Sequence, residues 1–462
     1  MERRFFYFLI LSMIGATVWC QNATGPLRVH PDNPRYFTDG SGKAVYLTGS
    51  HVWYNLLDMG PENPPRAFDY DAYLTWMTLL NHNFMRMWTW ELSEWNTENN
   101  SQHTENRIQY AYPQPWVRTG PGEALDGGKK FDLTQWNPDY FDRLRARVQK
   151  AGEHGIYVSI MLFEGWGMQF SPGAWEHHPF NKENNVNGID GDMNQDRKGL
   201  EIYTLGAPAV LRVQEAYVRR LIDTVNDLDN VLYEISNENH PPSTEWQYHM
   251  IDFIHAYEKT KSEPHPVGMT FQYKGGSNQA LFDSPADWIS PNPDSGYRDN
   301  PPANDGKKVI LNDTDHLWGI GGNQAWVWKS FTRGLNPLFM DPYDGLVLDK
   351  PFDEKWNPVR RSLGYTRRFA EWMDLAAMVP HGELASSGYC LAHPGQEYLV
   401  YSPEGNELTI DLTGAEGKFS VVWFDPRTGN ALTATPTAGG SKTTLTIPYA
   451  GKDAVLYLKK AS

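Results

Sequence analysis

From about residue 44 to residue 382 the chain alternates strand-like and helix-like segments, and this alternation limits the fold more than any other feature. Strand patterns fall at AVYLTG (44–49), FMRMWTW (84–90), IYVSIMLF (156–163), VLYEISNE (231–238), PVGMTFQY (266–273), ADWISP (286–291), KKVILNDTD (307–315) and NPLFMDP (336–342). Helical patterns occupy 68–83, 138–155, 207–230, 243–265, 277–284, 323–334 and 357–382. IYVSIMLF is apolar almost throughout, as a strand covered on both faces would be. The 138–155 segment puts Phe141, Leu144 and Val148 on one face and stops at Gly155. Eight strands with helical crossovers predict an α/β fold, a (β/α)8 TIM barrel over 27–382. An N-terminal hairpin, RYFTDGSGKAVYLTG (35–49), precedes it. A doubly wound sheet shares the alternation, but no GxGxxG follows the first strand and GxxxxGK[ST] is absent. The glycines of WGIGGN (Gly319, Gly321, Gly322) have the wrong spacing for phosphate, with no lysine beside them.

From Leu384 the rhythm changes to short strands between Gly, Pro, Asn and Asp turns: EYLVYSP, ELTIDLT, FSVVWFDPRTG, TTLTIPY and AVLYLKK. Residues 384–462 therefore read as a small all-β sandwich domain. It holds no catalytic cluster and suits a stabilising appendage, with sugar binding as the alternative.

The first 20 residues, MERRFFYFLILSMIGATVWC, set a basic start before an apolar run, the layout of a secretory signal peptide. Export to the periplasm, cell surface or medium is the expectation. Cys20 stands where a lipoprotein cysteine would, but Trp19 before it makes a poor lipid-attachment signal. Cleavage there leaves only Cys390, so no disulfide framework is expected. No later run reaches the roughly 20 apolar residues of a membrane span. The net charge of −15, without a basic stripe, excludes nucleic acid as a natural partner. It also argues against a strongly anionic polysaccharide unless a local basic pocket intervenes. Aromatic content is 13%, with 18 Trp, and flat rings suit the C–H faces of a carbohydrate substrate. Oligomeric state is not legible.

In a parallel barrel, functional groups gather where strands end at their C-termini. Strand one ends near His51, Trp53 and Tyr54; strand two in Arg86, Trp88, Trp90 and Glu91; strand three in Glu164, Gly165 and Trp166. Strand four ends in Asn237, Glu238, Asn239 and His240, strand seven in Asn312, Asp313, Thr314, Asp315 and His316, and strand eight in Asp341. Two carboxylates on facing strands are what glycosidic cleavage needs: one protonates the leaving oxygen, and the other attacks the anomeric carbon or activates water. The acid must keep its proton near neutral pH, which burial or a second carboxylate favours.

Asn237-Glu238 at the end of strand four resembles the Asn-Glu signature of clan A glycoside hydrolases, which are retaining (β/α)8 enzymes. Arg86 matches that clan's strand-two arginine, which commonly supports the nucleophile. From about residue 28 to 460 the chain looks like a bacterial branch with a DUF4038-type barrel and a C-terminal module named for collagen binding. The resemblance implies that Glu238 is the acid/base. Strand seven departs from the pattern: the clan usually has Glu as nucleophile, whereas this chain offers Asp313 and Asp315. Both have the same strand parity, and Asp315 is favoured because its depth from Val309 resembles that of Glu238 from Val231. Asp is one methylene shorter than Glu, so retention, expected for carboxylates about 5–5.5 Å apart, competes with inversion at a wider gap.

Each candidate also has a plainer reading. Glu238 could sit in a buried salt bridge, and Asp313 or Asp315 could cap the WGIGGN turn. Arg86 is expected to pair with a carboxylate, and Glu234, deeper on strand four, to be a structural partner. Glu91 and Glu164 suit substrate binding or a second catalytic role. Trp53, Trp88, Trp90, Trp166 and Trp318 are sugar platforms or packing residues. His51, His240 and His316 suit hydrogen bonding more than metal ligation, because HExxH and a strand-one HxH are both absent; no metal or cofactor is implied. The long segments 91–137 and 165–206 suit walls around a pocket that removes one terminal sugar from a plant or environmental polysaccharide. The rival of a different class is a carbohydrate-binding protein on a barrel that has lost catalysis.

Overall fold

The structure is a computed structural model that describes residues 22–98, 100, 107–345, 353–449 and 453–461. The signal-like segment 1–20, with Cys20, lies outside the described residues. The central sheet has eight strands: β1 Gly49–His51, β2 Phe84–Met87, β3 Tyr157–Glu164, β4 Val231–Asn237, β5 Val267–Thr270, β6 Trp288–Ser290, β7 Val309–Asp313 and β8 Asn336–Met340. Every pairing is parallel: from β2 to β8 each strand pairs with the next in sequence, and β8 pairs with β1. The result is a nearly closed (β/α)8 barrel. Its seam, between β1 and β2, is stitched by Asn83: the backbone N–H donates to Thr48 O, and the side chain accepts from Thr48 N and donates to Tyr46 O. Gly49 belongs at this seam because a Cβ there would meet Phe84 O at 2.2 Å.

The crossovers carry α1 Tyr70–Leu79, α2 Pro138–Glu153, α3 Pro208–Val225, α4 Thr244–Glu258, α5 Asn278–Asp283, α6 Gln324–Thr332 and, after β8, α7 Asn357–Trp372. Asp69, Asn137 and Asn323 cap α1, α2 and α6 through their side chains, satisfying amide groups that a helix start leaves open. The β6–β7 crossover has only a 3-10 turn, Asp294–Gly296. Insertion 91–137 folds into small antiparallel sheets, with Ile108–Tyr112 between Asp58–Gly60 and Glu94–Asn96, and Trp116–Glu123 on Lys129–Trp136. Among the described residues no helix is long and apolar enough to cross a membrane.

Most elements are shorter than the sequence reading, and two boundaries differ in what the chain does there. AVYLTG belongs partly to the hairpin, where Val45 bridges Phe37, and β1 starts only at Gly49. The last helix ends at Trp372 rather than near residue 382: Met373 already has extended backbone, ψ 162°, and Pro380 further on biases Val379 toward extended backbone as well. Val379–Pro380 instead becomes β9, the edge of the C-terminal module. That module adds β10 Cys390–His393, β11 Glu397–Ser402, β12 Glu407–Asp411, β13 Lys418–Phe424, β14 Ala431–Ala438, β15 Lys442–Thr446 and β16 Ala454–Lys460. Its six-stranded sheet runs β9-β10-β11-β16-β13-β14, with β12 and β15 paired apart from it, as in a small sandwich. Trp328 and Phe331 of α6 and Phe369 of α7 share one buried cluster with Leu399, Tyr401, Phe424 and Tyr457. The module is thus joined to the barrel by common core.

Candidate active site

The site is organised around Arg86 of β2, whose side chain is 1% exposed to solvent. Its Nε and NH2 donate to both oxygens of Glu234, at 2.8 and 2.6 Å. NH1 reaches Asp315 at 2.8 Å and Asp313 at 3.1 Å, and NH2 also donates to Asn237 Oδ1 at 2.6 Å. One guanidinium therefore faces three carboxylates. Glu234 takes the structural role expected of it.

Asp313 ends β7 as a fully buried residue. It accepts from Arg86, from the Asp315 N–H at 3.1 Å and from His51 Nε2, 2.8 Å from Oδ2. The His51 tautomer follows from Trp88, whose indole N–H can only donate and does so to His51 Nδ1 at 3.1 Å. The ring proton is therefore on Nε2 and points at Asp313. Burial alone would raise the Asp313 pKa, but His51 and Arg86 hold it far below the usual range.

Asp315 is not on the strand. β7 ends at Asp313, whose side chain caps the helical turn Thr314–Leu317, so strand parity does not govern Asp315. The turn lifts its carboxylate to the cavity that Asp313 does not reach. Burial pushes the Asp315 pKa up to about 6, with Arg86 opposing and the Asp313 charge adding.

Glu238 follows β4 directly. Its backbone is left-handed, with φ at +43°, a conformation that costs a non-glycine residue about 1 kcal/mol or more. Gln169 Nε2 donates to its carbonyl at 2.8 Å, and the side chain lines the same cavity as Asp315. Burial, reinforced by the Asp315 charge and opposed by Arg86, drives its pKa well above 4.5. Asn237 beside it is fixed by two donors, Arg86 and His316 Nε2, the latter 3.3 Å from Asn237 Oδ1. Ser290 Oγ, 2.7 Å from His316 Nδ1, supplies the opposite nitrogen with a donor. Burial and the Arg86 charge keep His316 well below 6.5 and therefore neutral.

The cavity has a volume of about 630 Å³. Glu164 lines it and accepts from the Trp166 and Gly167 N–H groups at 2.8 and 2.6 Å. Burial raises its pKa to about 8 against those bonds, helped by the Glu91 charge. Trp53, Trp88, Trp90, Trp166 and Trp318 also line the cavity. Trp88 and Trp90 are only 1% exposed and act mainly as packing, whereas Trp166 and Trp318 are half-buried and present ring surface.

Five expected site residues do not line the cavity: His51, Arg86 and Asp313 are buried and bonded to one another, and Glu91 and His240 are elsewhere. Glu91 is buried behind Glu164, accepting from the Glu164 N–H at 2.8 Å and from Tyr203 OH at 3.2 Å. His240 is turned away from the cavity, with Nε2 2.9 Å from Leu200 O, because the chain enters the Pro241–Ser243 turn there. Conversely, Phe271, Tyr273, Lys274, Asn292 and Arg298 line the cavity without having been expected. They follow β5 and β6, and the aromatic ending of PVGMTFQY was their only signal in the sequence.

Residues 105–274 match a family described as "Domain of unknown function (DUF6298)". Residues 377–459 match one described as "Putative collagen-binding domain of a collagenase". The barrel match is thus to DUF6298 and not to the DUF4038 branch expected, while the C-terminal match agrees with the expected module. No curated protein matches the chain. Among solved structures, a glycoside hydrolase family 5 from Bacteroides vulgatus ATCC 8482 is similar over 95% of this chain and 93% of that one, at 13% identity and a TM-score of 0.62. A structure described as "Glycoside hydrolase" is similar over 95% and 97%, at 12% identity and a TM-score of 0.58. The fold is that of these glycoside hydrolase barrels. At such identities the likeness is one of architecture, and the chemistry rests on the residues of the cavity.

Proposed function

We propose that the protein hydrolyses glycosidic bonds, with Glu238 as proton donor and Asp315 as the second carboxylate. The observation carrying this reading is the meeting of two carboxyl groups, Glu238 and Asp315, over one cavity, with Arg86 bonded directly to Asp315. Burial and the Asp315 charge push the Glu238 pKa well above its usual value and favour its protonated form, while Asp315, raised to about 6, is mostly ionised near neutral pH. Environments that push two titratable groups apart define an acid and its partner. Arg86 stabilises the Asp315 carboxylate, and Asn237, pinned by Arg86 and His316, stands beside Glu238 to meet a sugar hydroxyl. Asp313, buried and filled with donors, serves to hold Arg86 and His51.

Glu238 protonates the glycosidic oxygen as the bond to the anomeric carbon breaks, and Asp315 attacks that carbon to form a glycosyl ester. Water, deprotonated by Glu238, then releases the sugar with its configuration retained. Direct attack by water activated at Asp315 would invert it. The test is Glu238→Gln on a broad glycoside panel, with NMR of the first-formed anomer from the wild type. An active wild type and a folded, sugar-binding, inactive variant support the reading.

The cavity walls, built from Trp166–Phe170, Phe271–Gly276 and Asn292–Arg298, support exo action on the end of a chain. Release of monosaccharide alone from an oligosaccharide is the expected product pattern, and rapid mid-chain cutting of a polymer would sink it. The signal-like residues 1–20 support export toward a plant or environmental polysaccharide. Recovery of full activity from the cytoplasmic fraction would overturn that. A second reading, a carbohydrate-binding protein without turnover, is favoured by the aspartate standing where the clan has glutamate. It wins if the wild type binds sugars and cleaves none.

A further inference from the structure

Between β3 and α3 the chain reads Asp190-Gly-Asp192-Met-Asn194-Gln-Asp196-Arg197-Lys-Gly-Leu-Glu201, oxygen-bearing side chains at every second position and then a glutamate. The D-x-N-x-D of residues 192–196 has the spacing of positions 1, 3 and 5 of a calcium loop, in which the next residue, usually glycine, turns left-handed. Here that residue is Arg197, with φ at +65°. Carboxylate oxygens of Asp192, Asp196 and Glu201 all lie within 4.8 Å of one another. Calcium–oxygen bonds of 2.3–2.6 Å bridge oxygens up to roughly 5 Å apart.

An independent observation concerns Glu201. Its Oε2 is sealed from solvent and has no hydrogen-bond partner. Among the described residues no lysine or arginine pairs with Asp192, Asp196 or Glu201; nearby Lys182 pairs with Asp190 instead, at 3.3 Å. Asp192 accepts from the Asp196 and Arg197 N–H groups and Asp196 from the Lys198 N–H, whereas the buried Glu201 Oε2 has no donor. Three converging carboxylates with one oxygen buried and bare carry a free-energy cost that a cation among them would relieve.

We propose that Asp192, Asp196 and Glu201 form a structural calcium site. All-oxygen ligands on an irregular loop suit calcium better than magnesium, which demands near-ideal octahedral geometry. Glu201 lies in the 3-10 turn Leu200–Tyr203. The Leu200 carbonyl holds His240, and the Tyr203 hydroxyl donates to Glu164 O at 2.9 Å. The ion therefore anchors the turn that braces the cavity from behind. This site does not depend on the reaction proposed above.

The test is calorimetric titration of the chelator-stripped full chain with calcium chloride, with thermal unfolding in parallel. The expected result is one saturable calcium per chain and a raised Tm, with magnesium giving much less of either. Asp192→Asn and the near-isosteric Glu201→Gln should each weaken calcium binding by about tenfold or more, the lower end of what even outer-shell changes cost metal sites. Absence of saturable binding by the wild type at about 10 mM calcium, above the weakest extracellular calcium modules, overturns the proposal whatever the variants do. Undiminished binding by both folded variants overturns it too.

Discussion

The Arg86 guanidinium lies 2.8 Å from the Asp315 carboxylate, and this contact ties the buried interior of the barrel to the rim of its cavity. Because the same cation also meets Glu234 and Asp313, its single positive charge cannot neutralise all of its neighbours. The shortfall falls on the groups farthest from full pairing. Asp315 is raised moderately and Glu238, which has no direct contact with Arg86 and feels the Asp315 charge, is raised strongly. The proton donor is thus made by a local excess of negative charge in a buried place.

Glu238→Gln should lower kcat by about 10²–10⁴-fold, the usual contribution of a positioned general acid. The fold should survive, because burial favours the neutral form of this carboxyl group and a neutral amide of the same shape replaces it. Steady-state rates with a Tm measurement check both parts. A variant retaining more than about a tenth of the wild-type rate would remove Glu238 from the acid role.

Asp315→Asn and Asp313→Asn should separate chemistry from support. The first should abolish turnover with a Tm near that of the wild type, since Arg86 keeps Glu234 and Asp313 as partners and burial already disfavours the ionised Asp315. The second removes an ionised group bound by His51 and Arg86 at full burial, and should cost about 3–5 kcal/mol in stability. Denaturant melts of both variants beside rate measurements provide the comparison. Full activity in Asp315→Asn would transfer the role to another carboxylate.

Much of this arrangement was legible beforehand. The barrel followed from period, because eight apolar strands alternating with amphipathic helices leave few other folds. Glu238, Asn237 and Arg86 followed from their places at strand ends. Parity counted along a continuous strand leaves Asp313 and Asp315 equivalent, and depth from Val309 favours Asp315; the strand in fact stops at Asp313, which caps the turn after it, and that side-chain-to-backbone bond has a weak sequence signal. His240 and Glu91 were misplaced because their partners, Leu200 and Tyr203, come from an insertion whose path the sequence does not reveal. Strand β14, ALTATPTA, escaped notice because it is largely exposed and lacks apolar alternation.

Arg86→Met should be the most damaging single change in the site. It leaves Glu234, Asp313 and Asp315 without their common cation, and breaking even one buried pair costs about 3–5 kcal/mol. Low soluble yield or a strongly reduced denaturation midpoint is the expected outcome. Activity should fall as well, because Asn237 loses the bond that fixes its amide. A variant as stable as the wild type would mean that the three carboxylates are protonated or hydrated in the native protein.

Rate and stability should respond to pH through different sets of carboxyl groups. For the rate, Asp315 must be ionised and Glu238 protonated. kcat/KM should therefore climb through about pH 6 and fall again at higher pH, as Glu238 loses its proton. For stability, Asp315 and Glu164 bind protons more tightly folded than unfolded, where their values are near 4. The stability they contribute is complete below that range and lost as pH rises through about 6 for Asp315 and about 8 for Glu164. Asp313 has the reverse sign: its depressed pKa contributes stability above about pH 4 that disappears on acidification. His82 and His316, whose pKa values burial lowers, add stability as pH rises toward 6.5 and oppose Asp315 there, so the decline owed to Glu164 should show between about pH 7 and 9, where Glu164→Gln should shrink it. A wild-type Tm that stays level or climbs from about pH 7 to 9 would contradict the raised pKa of Glu164.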